Sequence, residues 1–145
     1  MNRLTLLAAG TAGLAVFAIT PASATVQSAE TTATVTSCGN AGLQAGLSTR
    51  LCADVTGTSV EFYGKVTLAG PSPTTKELIT TLSVEVVGNG TPTTLTRSVI
   101  FNSAPLEIRG PVSTVPCGST IRGTFGVAFF PRPAQPVVHE VTITC

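Results

Sequence analysis

The sequence predicts an all-β fold, a single antiparallel β-sandwich of immunoglobulin-like type with about seven strands and two disulfides. Three observations predict it. Apolar and polar residues alternate at period two through several short segments, as in strands buried on one face. Clusters of proline and glycine separate those segments where the chain must reverse. No useful window carries a helical apolar period free of Gly, Pro or β-branched runs. A small β-barrel is the alternative closure of the same strands.

The N-terminus, MNRLTLLAAGTAGLAVFAITPASA, sets one charge, Arg3, before an apolar run from Leu4 to Ile19. Pro21 and the small residues Ala22-Ser23-Ala24 follow, which is the order of a secretory signal peptide spanning residues 1–24. The run is shorter than the about 20 apolar residues of a membrane anchor, holds Gly and Thr, and lacks basic residues after it. The mature chain is therefore expected to be secreted and extracellular, without a membrane anchor. Residues 25–34, TVQSAETTAT, show no apolar period and read as a flexible N-terminal arm. Residues 35–145 read as one disulfide-stabilised domain, a length that suits a single core. The bias toward Ala, Gly, Thr and Val, with only two lysines, points to a GC-rich bacterial source.

Alternation then justifies each strand. In SVEFYGKVTLAG, Val60, Phe62, Val66 and Leu68 share one face, with Glu61, Tyr63, Lys65 and Thr67 on the other. In ELITTLSVEVVG the inward set is Leu78, Leu82, Val84 and Val86. Gly88-Asn89-Gly90 is a strong hairpin signal, because these residues tolerate positive φ. The return strand aligns Leu95, Val99 and Phe101, with Arg97 unexpectedly on their face. A short strand around Leu106 and Ile108 follows, then TIRGTFGVAFF with Ile121, Phe125, Val127 and Phe129 aligned. The last strand is VVHEVTITC, whose inward set is expected to run through Val137, His139, Val141, Ile143 and Cys145. GPSPTTK, GNGTP, NSAP, RGPVSTVPCG and PRPAQP read as turns, and GNAGLQAGLSTR as a short helical turn.

Cys38, Cys52, Cys117 and Cys145 all lie after the leader, and an even count in an oxidising compartment reads as two disulfides. Of the three pairings, Cys38–Cys52 with Cys117–Cys145 is favoured, closing loops that chain entropy values at about 3 and 3.6 kcal/mol. A zinc site would need C-x-x-C spacing or more histidines than one.

Charge and motifs narrow the function. Without Arg3, seven basic residues balance seven acidic ones, and no basic stripe exists to neutralise phosphates, so no nucleic acid is expected as a partner. His139 and Glu140 point to opposite faces of a strand, so the HE pair is no fragment of H-E-x-x-H, which needs a helix and a second histidine. One histidine, one aspartate and no G-x-S-x-G make a triad hydrolase a poor fit. Glu61 and Glu85, on solvent faces of strands expected to be neighbours, are the only carboxylate pair to weigh for a glycosidase. Neither an enzyme nor a cofactor is expected.

Binding remains. FFPRPAQP, residues 129–136, sets Phe130 and Arg132 among prolines in a stiff segment that loses little entropy on docking. Tyr63, outward on its strand, and Arg109 in EIRGPVS are the other candidate partner-binding residues. The expected function is a secreted, non-catalytic β-sandwich that binds an extracellular protein or cell-wall component. The alternatives are a protease inhibitor presenting Arg132 or Arg109, and then a secreted hydrolase.

The hexapeptide AGLQAG, residues 41–46, resembles a segment of the apoproteins of the enediyne chromoproteins. Those are also small exported immunoglobulin-like domains with two disulfides. The likeness covers six residues, the cysteine spacing does not correspond, and no site is carried across.

Overall fold

The structure, a computed structural model, describes residues 33–71 and 75–145; the expected signal peptide and the expected arm up to residue 32 lie outside the described residues. Nine antiparallel strands form two sheets. The first contains β1 (Thr34–Cys38), β2 (Gly42–Gln44), β3 (Leu47–Thr56), β4 (Ser59–Leu68) and β7 (Leu106–Thr114). The second contains β5 (Lys76–Val86), β6 (Thr93–Phe101), β8 (Thr120–Ala128) and β9 (Val137–Thr142). Their orders are β1/β2–β3–β4–β7 and β6–β5–β8–β9, and neither sheet closes, so the barrel alternative is overturned. No helix of the described residues is long and apolar enough to cross a membrane.

The core lies between the sheets, where the alternating residues place it. Leu51, Phe62 and Val66 from the first sheet meet Leu78, Leu82, Ile121, Phe125 and Val127 from the second, all essentially inaccessible to solvent. Burial of each such side chain contributes about 1.5–3 kcal/mol. Phe62 and Phe125 fit only because glycines face them. A Cβ on Gly64 would overlap the Phe125 ring, and one on Gly123 would overlap Phe62.

Both disulfides join the expected partners, Cys38 to Cys52 and Cys117 to Cys145. The first links directly opposed residues of β1 and β3. The second does not sit on an inward strand face as expected: β9 ends at Thr142, and Cys145 is exposed beyond it. It ties the β7–β8 turn to the tail, beside two backbone bonds, Gly118 N–H to Ile143 O (2.7 Å) and Ile143 N–H to Ser119 O (2.9 Å).

Nine strands among the described residues replace the expected seven, and two of the expected turns prove to be strand. GNAGLQAGLSTR is no helical turn; it holds β2, a two-residue turn and the start of β3. Ala45 and Gly46 both take positive φ (53° and 78°), as a tight hairpin turn of the primed kind requires. Alanine in the place usual for Asn or Gly hid that hairpin. RGPVS is no turn either: β7 runs on through Pro111 to Thr114. The pairing of β4 with β7 shifts between Glu61 and Tyr63, which gives a bulge at Gly110-Pro111. An edge strand tolerates proline at such a bulge, where no ladder N–H is needed.

Candidate functional site

The β8–β9 connection is built from its prolines upward. Phe129 and Arg132 exchange two backbone hydrogen bonds across a tight turn whose Phe130–Pro131 peptide is cis. Phe129 folds back, half-buried against the core, and Lys76 Nζ lies 5.0 Å from its ring centre. Downstream, Ala134 and Pro136 pack on Gly126, which has no side chain to exclude them. The turn is thus fixed at both ends, and Phe130 stands at its tip with 91 % of its surface exposed.

Beside this tip lies the β2–β3 turn. Leu43, Ala45 and Gly46 line one wall of a shallow groove of about 380 Å³, and Arg132, Pro133 and Gln135 line the other. Leu43 is 68 % exposed. The site therefore presents an aromatic, an aliphatic side chain and one cation, with no carboxylate among the residues lining the groove.

What aligns the two turns is Gln44, a residue the sequence reading passed over. Its side chain is 2 % exposed and spans the two sheets. Its Nε2 donates to the Phe125 carbonyl (3.1 Å) and to Thr49 Oγ1 (2.8 Å), and its Oε1 accepts the Val127 N–H (2.8 Å). β9 pairs with β8 only as far as Phe125, because the chain there has entered the proline-rich turn. The Gln44 carboxamide takes over where that strand stops, satisfying backbone groups that would otherwise be buried unpaired.

Tyr63 and Arg109 are brought together, but elsewhere. Tyr63 lies on the outer face of the first sheet, as the alternation predicts, yet it is only 4 % exposed. The Arg109 guanidinium covers its ring at 4.7 Å, with Lys65 Nζ 5.3 Å from the ring centre. Burial, then the charges of Asp54 and Glu107, push its hydroxyl above the ordinary value of 10.0. Arg109 sits mid-strand, paired with Glu61 (2.8 Å), Glu107 (2.8 Å) and Asp54 (3.5 Å), and not at a loop tip. No ring face is left there for a sugar to stack on.

Glu61 and Glu85 do not converge. β4 and β5 belong to different sheets, and Glu85 pairs with Arg122 (3.1 Å), which also holds Glu140 (2.6 Å). Among the described residues, no three His, Cys, Asp or Glu side chains are grouped as a metal ion requires.

His139 faces the interior of the second sheet, half-buried, with Nε2 2.9 Å from Ser37 Oγ and its ring edge-on to Phe62. It links β9 to β1, a structural role. Burial lowers its pKa below the ordinary 6.5, so the folded state favours the neutral ring. The unfolded chain takes up a proton as pH falls through about 6.5, and the folded chain resists doing so. Stability is therefore expected to fall below that pH and to owe nothing to this group above it. Urea midpoints compared between about pH 5 and 8 for the wild type and His139→Gln check this. Parallel curves for the two proteins would remove the effect.

Compared with protein-family models, with curated proteins and with solved structures, the chain matches none.

Proposed function

We propose that the protein is an exported, non-catalytic binding module that recognises an extracellular or cell-surface partner through the Phe130 tip and its groove. The observation that carries this is the 91 % exposed Phe130 on a turn whose backbone is already fixed. A large apolar side chain held in water on a rigid support costs solvation and brings no folding benefit, and it loses little entropy on docking. Aromatic residues and arginine dominate the energetics of protein interfaces, and Phe130 and Arg132 supply both, with Leu43 adjoining.

Export, with residues 1–24 removed as a signal peptide and an arm that ends before β1 begins at Thr34, belongs to the same reading; the two disulfides support it. So does an immunoglobulin-like assignment of the sandwich. The supporting features are the sheet orders: β7 returns beside β4 after the β5–β6 hairpin, and β8 lies between β5 and β9.

The inhibitor reading is the weaker one. A protease-binding loop offers the backbone N–H and C=O beside its specificity residue to the enzyme, whereas both of those groups on Arg132 are bonded to Phe129. Pro133 also follows Arg132 directly.

Residues 25–145, oxidised and immobilised, are expected to retain one species from the culture supernatant or wall fraction of the producing cell. Phe130→Ser should lower that retention at least tenfold with unchanged melting, the loss expected of an interface anchor worth about 2 kcal/mol. Equal retention by this variant would overturn the assignment of the tip. Inhibition of a trypsin-like protease that Arg132→Ala abolishes would favour the inhibitor.

A further inference from the structure

Each free sheet edge invites another strand to add to it, and proteins block such edges by identifiable devices. Three edges here carry evident ones. β7 has the Gly110-Pro111 bulge. The β1/β2 edge is broken, because its pairing with β3 slips by one residue between Cys38 and Gly42. β9 is only six residues long and starts directly after Pro136. β6 differs. It is nine residues long, pairs with β5 without any register shift, and contains neither proline nor glycine. Its sequence, TTLTRSVIF, is rich in β-branched residues, and Ile100, 63 % exposed, continues it as an apolar outer surface.

One residue interrupts this pattern. Arg97 lies on the inward side of β6, between Leu95 and Val99 and opposite the buried Thr80, yet it is exposed. It makes none of the five ion pairs among the described residues, all of which belong to Arg109 and Arg122. It is also the midpoint of Thr93–Phe101. Two copies joined edge to edge by an antiparallel β6–β6 ladder of full length would set Arg97 directly against the other copy's Arg97. Like charges opposed across strands are destabilising, and an inward-pointing charge on an edge is a known block.

We propose that β6 is a self-association edge for a second copy of this chain, held shut by Arg97. Pairing through it would join the two four-stranded sheets into one continuous sheet, opposed by Arg97, the one charged residue within β6. The inference concerns a different part of the molecule from the Phe130 tip, and neither depends on the other.

The test uses charge exchange on the oxidised protein, read by sedimentation velocity. Wild type alone and Arg97→Glu alone are expected to be monomeric, since each opposes like charges. Their equimolar mixture is expected to form a heterodimer, in which Arg97 meets the substituted glutamate. Backbone amides of β6 should gain hydrogen-exchange protection in the mixture, which locates the contact. Arg97→Val should dimerise by itself. A mixture and a valine variant that both stay monomeric, with melting unchanged, would overturn the proposal; so would a wild-type dimer whose β6 amides are protected.

Discussion

Gln44→Leu is expected to lower stability by about 3–5 kcal/mol, read as a drop in the urea midpoint, although the two side chains are of similar size. The reason is the asymmetry between making a hydrogen bond and orphaning its partners. Leucine would leave the Val127 N–H and the Phe125 carbonyl buried without partners, at about 1–3 kcal/mol each. Thr49 would fare better, because its hydroxyl also donates to the Gly42 carbonyl (3.2 Å). Gln44→Glu tests the same network with a directional signature. A carboxylate still accepts from Val127 but faces the Phe125 carbonyl without a proton, while the protonated acid can donate to it. Burial and that acceptor raise the folded pKa of the new group above the ordinary value of about 4.3. Its contribution is then fully present below that value and is lost as pH rises through the folded pKa. The deficit of this variant relative to wild type should therefore narrow as the solution is acidified. A leucine variant within about 0.5 kcal/mol of wild type would refute the network's role, that being the ordinary scatter of neutral surface changes.

Replacing Cys117 and Cys145 together by serine should cost about 2–5 kcal/mol. Their bond closes the longer of the two loops, with a sequence separation of 28, and chain entropy rewards long loops most. It also secures Ile143, fully buried although it lies beyond the last strand, and the two backbone bonds around Gly118 and Ser119. The Cys38–Cys52 bond spans 14 residues and joins strands already zipped in register, so its loss should cost less. Denaturant midpoints for the two double-serine variants give the comparison. An unchanged midpoint for the 117/145 variant would remove the clamp from the account of stability.

Much of the fold was legible because its core strands are half-buried and alternate cleanly. Phe62, Leu82 and Phe125 were on the face the pattern assigned. What was missed has local causes. The β2–β3 hairpin turns through Ala45, which adopts positive φ without the residue type that usually announces it. β7 continues through a proline because it lies on an edge, and edge position is a tertiary property. Both cysteine pairs could be chosen from spacing, but the exposed place of Cys145 depends on where β9 stops.

The candidate site was half legible. Phe130 and Arg132 declared themselves by the prolines around them. Leu43 and Gln44 did not, since a glutamine between glycines resembles a surface loop until the opposite sheet is in place. The one sequence signal was parity: Gln44 is followed, across the turn, by inward-facing Leu47, Thr49 and Leu51. Tyr63 shows the converse. Its outward register was readable, but the cover given by Arg109 comes from a strand 46 positions further along the chain.

The confinement of the ion pairs of the described residues to two arginines also bears on how fast a partner is captured. Arg109 holds three carboxylates and Arg122 two, one cluster on the outer face of each sheet, so each cluster stays net negative and the charge is balanced only over the whole chain, with eight basic residues against seven acidic ones. Little field reaches outward to draw a charged partner in from a distance. Encounter is then governed by diffusion and orientation, on the order of 10⁵–10⁶ M⁻¹s⁻¹ and nearly indifferent to salt. A module of this kind gains little from speed of approach; how long it holds what it meets rests on Phe130 and the surface it covers.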